Sequence, residues 1–525
     1  MFTKLFLTLC ILILPTVFAV SAPQWVPFKT DAYSGHQTLT TSSNKSIELF
    51  WSVDVAANQV EFGVASKNGA TWLALGLSES GSMQGADIWL GYTDPTIGKF
   101  VLEDRFSPSV GAPILDKKQD VTLLQSFQTA ELTAFTFKRS LTPCDLSQDS
   151  KIETEVPNHF IFAFGTDNNF NKHLPGRNGI KEIELIGNYF TNINISEADQ
   201  KNSTIFNMVT KKIEIPANDT TYCYTLYDLS DMDKSHIIKE VPVVNSPLLH
   251  HLVGYLCDTI PANITTTEPI CNVIDPITQL SDSDFQNTCW RTYLLWGKGG
   301  EGRTYPATAG KPLGRSAYGT QYLLLESHYA NPELLTGQVD VGSGLELTLT
   351  KNLRPHDVGI LFAGRDQDVI LLEPGNSSQS IYGRCGLQCT EKGIPDEGLT
   401  ITATFFHMHK RGISGETQWI RNGIELPPLT TRRYYDFNFQ ISQNAPLSQE
   451  KLMPGDTLIT RCTYDTSKDT KPVRGGFTSD NEMCINFIEY YPVAPLFHCT
   501  DTIDIPAQLN STVKDGLFCG ITKNG

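Results

Sequence analysis

Short runs that alternate apolar and polar residues, each cut off within a few positions by Gly, Asn, Asp or Pro, constrain this chain more than anything else in it. Ile47–Val53, Gln59–Val64 and Thr71–Leu77 are such runs. A period of two places every second side chain on one face of an extended strand, so each run can bury one face and wet the other. Turn residues at short intervals then favour sheet packed on sheet. The 40 glycines and 29 prolines follow no period, which excludes collagen and argues against long helices. The chain reads as all-β. Its 525 residues allow about three domains, each with its own core.

The first block of strands runs from Ser46 to about Thr136. A stretch rich in Asn, Ser and acidic residues, Asn188 to Asn202, reads as a linker. Two further β-rich blocks follow, Lys211 to Phe362 and Val369 to Tyr491. Hydrophobic residues at 40% and charged residues at 19% exclude extensive disorder. The net charge of −16, with no Lys/Arg-rich block, removes nucleic acid from the expected partners.

The chain opens with Met-Phe-Thr-Lys and an apolar stretch, Leu5 to Val17, too brief for a membrane span. With small-residue cleavage sites at Val17-Phe18-Ala19 and Val20-Ser21-Ala22, residues 1–19 read as a signal peptide, a retained anchor being the competing reading. No later segment is apolar enough to cross a bilayer, so no integral span is expected, and the polar tail carries no GPI signal. Asn44, Asn194, Asn202, Asn218, Asn263, Asn376 and Asn510 each sit in an Asn-x-Ser/Thr glycosylation acceptor. Twelve cysteines, one of them (Cys10) in the leader, leave an odd number for an oxidising compartment to pair. Cys385 and Cys389 have a spacing that could suit zinc, but no second pair completes such a site, and disulfides fit better. The expected location is extracellular or the lumen of the secretory pathway.

Eleven histidines are present, and several fall in metal-ligand arrangements. His407 and His409 close a strand-like run, Leu399–Phe406, and residues i and i+2 share a strand face, so both imidazoles can converge on one ion. His250 and His251 are adjacent and normally point to opposite faces; both reach one metal only if a bulge re-aims one of them. One buried and one solvated histidine is the competing reading. His328, on the apolar run Leu323–Pro332, taken alone is equally well a core histidine. Met483 offers a soft thioether that selects Cu(I), although methionine in a β core also serves as packing.

Taken in order, His250-His251, then His328 before Tyr-Ala-Asn-Pro, then His407-Met-His409 after Phe-Phe, then Glu482-Met-Cys484 resembles the copper type II, ascorbate-dependent monooxygenases. His236-Ile-Ile-Lys, Gly383-Arg-Cys385, Pro454–Tyr464 and Gly475-Gly-Phe477 extend the likeness from about Tyr222 to Cys499. Trp72–Leu77, Gly85–Tyr92 and Glu103–Ser107 look like a DOMON domain, and DOMON before the catalytic pair marks the dopamine β-hydroxylase-like branch. The resemblance implies a DOMON sandwich over residues 25–185, a linker over 186–205, facing jelly-roll-like copper domains over 206–355 and 356–500, and a short tail over 501–525.

It further implies two coppers per chain, one on His250, His251 and His328 and one on His407, His409 and Met483, across a solvent-filled cleft. Ascorbate would be the reductant, and O2 and a small molecule with an activated C–H bond the substrates. The last three ligands would form the catalytic centre. By family position the disulfides would be Cys223–Cys271, Cys257–Cys289, Cys385–Cys499 and Cys462–Cys484, with Cys144, Cys389 and Cys519 left for one further bridge. Asp87, Ile88, Arg105 and Asp120 fall near a cation site of the branch, where carboxylates and main-chain carbonyls would suit calcium; solvated loop aspartates are the competing reading. A homodimer is compatible with the resemblance.

Where dopamine hydroxylases carry acidic residues this chain has Val253 and Phe362, Phe487 replaces a tyrosine four positions after the methionine, and Lys410 follows His409. A cationic amine calls for a carboxylate partner, so dopamine does not carry over with the family. Gly297–Thr304 approaches a phosphate-binding loop but has Arg303 where the lysine must be. The alternative from another class is a catalytically silent DOMON-containing ligand-binding or adhesion protein; a missing ligand would favour it, and none is missing.

Overall fold

The computed structural model describes the chain except residues 1–22, 168–169, 171, 187–194, 196, 261–268, 272–288, 290, 316–320, 366–368, 447, 477, 502–516 and 522–525. The expected leader and the acceptors Asn194, Asn263 and Asn510 lie outside the described residues. Three two-sheet sandwiches follow one another. Short helices at Glu197–Asn202 and Leu387–Gly393 are the exceptions to strand and loop among the described residues. The first of these lies within the stretch read as a linker, and the strand Ser203–Val209 that follows it pairs with Gly344–Thr350 of the middle sandwich.

In the first sandwich a five-stranded sheet, with Ser46–Asp54 and Gln59–Ser66 near its centre, faces a six-stranded sheet that includes Trp72–Leu77 and Ala86–Asp94. Alternation sets which side chains meet between them. Leu73, Leu75 and Leu77 join Trp89, Phe62, Phe137 and Phe160 in the core, while Trp72, Ala74, Ile88 and Tyr92 form a second apolar cluster on the opposite face.

The middle sandwich places Leu249–Cys257 and Tyr322–Ala330 side by side at the heart of a five-stranded sheet. Tyr322–Ala330 is buried on both faces, which is why its sequence reads as a nearly continuous apolar run rather than an alternating one. Its inner face, with Leu323, Leu325 and Tyr329, enters the sandwich core; His328 lies on the other face. The third sandwich is built the same way. Thr400–His407, Cys484–Tyr491 and Gly359–Arg365 are neighbours in a six-stranded sheet whose inner face buries Leu361, Ile401 and Ile488. Its outer face carries Ile360, Phe405, Met483, Ile485 and Phe487, and Leu295 of the middle sandwich packs against them.

Five disulfides staple these sheets: Cys223–Cys271, Cys257–Cys289, Cys385–Cys499, Cys462–Cys484 and Cys389–Cys519. The last occupies the Cys389 thiol that a zinc site would need, and leaves Cys144 free and exposed. No helix among the described residues is long and apolar enough to cross a membrane.

Candidate metal centre

The strand Leu249–Cys257 carries the adjacent histidines, and its pairing with Tyr322–Ala330 slips between Leu249 and His251. Leu249 sits opposite Tyr329 and His251 opposite His328, so His250 is the extra residue of a bulge. The bulge puts both imidazoles on one side. The Nδ1 atoms of His250 and His328 each lie 3.2 Å from Nδ1 of His251. Three ring nitrogens bound to one ion at about 2.0–2.1 Å are spaced about 3 Å apart, so the cluster has the dimensions of a ligand set. All three rings are buried, and burial holds each as neutral imidazole: His250 is pushed down to about 3, and His251 and His328 well below their free value. Tyr222 stacks on His328 with ring centres 4.6 Å apart and fixes its plane.

His407 ends the strand Thr400–His407 and His409 lies just beyond it. His407 pairs with Ile485, and continuing that antiparallel register two residues sets Met483 opposite His409. The Nδ1 of His407 is 2.7 Å from the Gln440 side-chain oxygen, and that of His409 is 3.2 Å from the Asn481 carbonyl. Both oxygens only accept, so each Nδ1 carries the proton and each Nε2 keeps a lone pair. The Nε2 of His409 is buried with no protein partner. Burial pushes His407 down to about 4 and His409 well below its free value. Glu482, fully buried, accepts the backbone N–H groups of His409 and Arg411 and pins the turn that brings His409 round. Two neutral imidazoles beside a thioether fit a soft ion such as Cu(I), and three imidazoles fit copper in either state.

The resemblance implies a solvent-filled cleft between the two sets. The structure differs: the rings of His251 and His407 are 5.2 Å apart, centre to centre. Phe437, from a loop of the third sandwich, lies between the sets, stacked on His250 at 4.2 Å and edge-on to His409 at 6.2 Å. Nearby, Glu489 of the third sandwich pairs with Arg303 at 2.7 Å and Lys311 at 3.1 Å, both from the middle one. These contacts hold the two sandwiches against each other beside the histidines.

Lys410 turns away from the metal-ligand side chains and bridges Asp219 of the middle sandwich, at 2.9 Å, and Asp480. Phe362 stacks on His498 at 4.2 Å and meets Phe487 edge-on at 5.3 Å, while Val253 sits opposite Leu295 and Glu326 in its sheet. Glu326, buried two residues before His328, is a carboxylate on the metal-facing side that the sequence analysis did not single out. Phe437, Gln440 and Tyr222 were equally invisible there, because nothing in their spacing ties them to the histidines.

Two carboxylates that the sequence analysis did not name lie at the expected cation site in the first sandwich. Asp87 comes together with Asp104 and Asp149, all buried. Ile88 and Arg105 pair with each other one step out of phase with Asp87. The Ile88 side chain therefore joins the outer apolar cluster, and Arg105 binds Glu103 and the Pro113 carbonyl. Their main-chain carbonyls are the donors that the sequence analysis expects of them. Both oxygens of Asp104 and of Asp149, with one each of Asp87, Asp116 and Asp120, are buried without a hydrogen-bond partner. Arg139 bonds Asp87, and Lys118 approaches Asp120 at 3.9 Å. Burial, then Asp87, pushes the Asp104 carboxyl up to about 10.

Comparison with known proteins places these features in order. The DOMON domain model matches residues 43–165, the copper type II ascorbate-dependent monooxygenase N-terminal domain matches 206–336, and its C-terminal domain matches 356–511. DBH-like monooxygenase protein 1 of Homo sapiens is 30% identical over 485 residues, 90% of this chain and 76% of that protein. Dopamine beta-hydroxylase of Homo sapiens is 29% identical over 475 residues, 87% of this chain and 73% of that protein.

Proposed function

The chain belongs to the copper type II ascorbate-dependent monooxygenases, and from that premise we propose that His250, His251 and His328 hold one copper and that His407, His409 and Met483 hold the other. The observation that carries this reading is the pair of donor sets: three Nδ1 atoms gathered by a bulge, and two Nε2 atoms freed by Gln440 and Asn481. When bound, the coppers supply one-electron chemistry that couples ascorbate and O2 to hydroxylation of an activated C–H bond. The protein's own part is to keep five imidazoles neutral by burial, hold their tautomers, and set a thioether where the reduced metal is favoured. Phe405, Phe487 and Leu295 beside Met483 exclude water from the reacting end of a small substrate.

The aspartate cluster of the first sandwich is proposed to hold a hard cation, calcium by its all-oxygen donors, through Asp87, Asp104 and Asp149 with Asp120 close by. Passage through the secretory pathway is proposed on the five disulfides and on exposed acceptor asparagines at Asn44, Asn202, Asn218 and Asn376. Domain limits of 25–185, 206–355 and 356–500 accompany this reading.

Metal analysis tests it: about two coppers per chain in the wild type, and about one in His409→Ala, which should also lose ascorbate-dependent oxygen uptake while staying folded. Full copper and full turnover in that variant would overturn the assignment of the third-sandwich site.

A further inference from the structure

One segment of the third sandwich touches the loops of the aspartate cluster at one end and both metal-ligand sets at the other. It runs from Arg432, the last residue of the strand Ile424–Arg432, to Gln440. Two loops of the first sandwich grip its start. Glu79, in the loop between Trp72–Leu77 and Ala86–Asp94, accepts the backbone N–H of Arg433 at 3.0 Å and its guanidinium. The Glu79 carbonyl accepts the Arg432 guanidinium. The Arg433 guanidinium also donates to the Leu146 carbonyl, and the Tyr434 hydroxyl to the Ser147 carbonyl at 3.3 Å. The Tyr434 ring lies on the backbone of Gly85, at φ +74°, where any Cβ would run into it, and tilts against Phe106 at 5.8 Å.

These contacts fall on the backbone that carries the cluster. Gly85 is two residues before Asp87, and Phe106 pairs with Asp87 across the sheet. Leu146 and Ser147 belong to the turn, closed by Asp149 N–H on the Asp145 carbonyl, that delivers Asp149. A cation held jointly by Asp87 and Asp104 of the sheet and Asp149 of the turn would cross-link the two pieces on which Tyr434 rests. The far end of the segment reaches the metal ligands. Tyr435 is buried, and its hydroxyl accepts the Met408 backbone N–H at 3.0 Å and donates to the Met408 carbonyl at 2.6 Å. That fixes the residue between His407 and His409. Phe437 stacks on His250, and Gln440 holds the proton on Nδ1 of His407. Adjacent tyrosines thus bind the backbone of the cation cluster and the backbone between two ligands, which leaves little slack from one to the other.

We propose that residues 432–440 are a strut through which a cation on the DOMON cluster positions the third-sandwich copper ligands, with Arg433 and Tyr434 as positioning residues. The inference goes beyond the copper and calcium readings above and rests on both. The strut has two states, docked and loose, and each metal favours the docked one. Arg433 and Tyr434 direct their side chains to the first sandwich; Tyr435, Phe437 and Gln440 carry the effect onward. Coupling of this kind is reciprocal: whatever factor calcium adds to copper affinity, copper adds to calcium affinity.

Hydrogen exchange on the metal-free full chain, with calcium added alone, tests it. In the wild type calcium should slow exchange of residues 145–150 and also of 407–412 and 432–440. In Tyr434→Ala it should slow 145–150 as before and leave 407–412 unchanged. Tyr434→Phe keeps the ring on Gly85 and Phe106, so it should restore the wild-type pattern. Titration with Cu(I) against a competing chelator gives a second readout. Calcium should tighten one of the two sites about tenfold in the wild type, an ordinary size for coupling between sites, and neither site in Tyr434→Ala. Protection confined to residues 145–150 in the wild type, or an equal calcium effect on 407–412 in wild type and Tyr434→Ala, would overturn the strut and leave the cation site standing. No protection anywhere would overturn the cation reading and the strut together. Fewer than two Cu(I) sites in the wild type would strike the copper reading, and the strut with it.

Discussion

Glu489 offers the most quantitative test of how the two copper domains are held together. It is buried between them, with Arg303 at 2.7 Å, Lys311 at 3.1 Å and the Thr402 hydroxyl at 2.7 Å. Burial alone would raise its carboxyl, but Arg303 and Lys311 override this and bring it from 4.5 down to about 2. At roughly 1.4 kcal/mol per pH unit, a carboxyl held that far below its free value contributes about 3 kcal/mol at neutral pH. Removing one member of a buried ion pair costs about 3–5 kcal/mol by mutational experience, which agrees. Because the folded value is the lower one, the contribution is complete above 4.5 and is lost as pH falls from there towards 2. Glu489→Gln keeps the shape and an acceptor for Thr402 but removes the charge. Urea titrations of the copper-free protein should find the variant about 3 kcal/mol less stable at pH 7, with the gap reduced by more than half at pH 3. Equal stability at pH 7, or a gap that does not close with acid, would refute the reasoning.

Three further outcomes follow from the same geometry. Met483→Leu keeps the packing and removes the sulfur, so it should lose most turnover and weaken the second copper; wild-type values for both would make Met483 a core filler. Phe437→Ala removes no donor, and should keep both coppers while oxygen uptake falls at least tenfold, because the ring that seats the third sandwich on His250 is gone; loss of a copper would show that Phe437 shapes a ligand set directly. Calcium in large excess over its dissociation constant should raise the unfolding midpoint of the first sandwich, by the equivalent of about 2.7 kcal/mol at a hundredfold excess, and Asp104→Asn should abolish the effect in calorimetry. No response to calcium or to EGTA would leave the aspartates without an ion.

Strand identity was legible because burial and period coincide. Gln59–Val64 reads as a strand from its alternation, and the strand Gln59–Ser66 stands there. Tyr322–Ala330 hides the same information, since both faces are covered and apolar residues are adjacent. Strand order lies beyond local pattern. Ser203–Val209 pairs with residues 344–350, and no local signal records a partner that distant. The paired aspartates show a different limit. Asp87 was legible as a candidate, but Asp104 and Asp149 reach it through cross-strand register and a returning loop, neither of which the spacing of aspartates along the chain can encode.

The metal-binding residues were legible as a set, and the way they are made to converge was legible only as a condition. Two adjacent histidines can serve one ion if the strand bulges, and the bulge between Leu249 and His251 is a property of the pairing with Tyr329 and His328, not of the histidines themselves. The same logic explains why closure of the two faces escaped the sequence. Gln440 holds the His407 tautomer, its carbonyl lies against Gly297, and Gly297 pairs with His251 in the middle sheet. One glycine thus touches the support of one ligand set and the backbone of the other. Its lack of a side chain is what allows the sandwiches to meet at that point. A bulkier residue there would hold the faces apart before any metal or substrate arrived, so the spacing of the two sites is set by the junction loop as much as by the ligands.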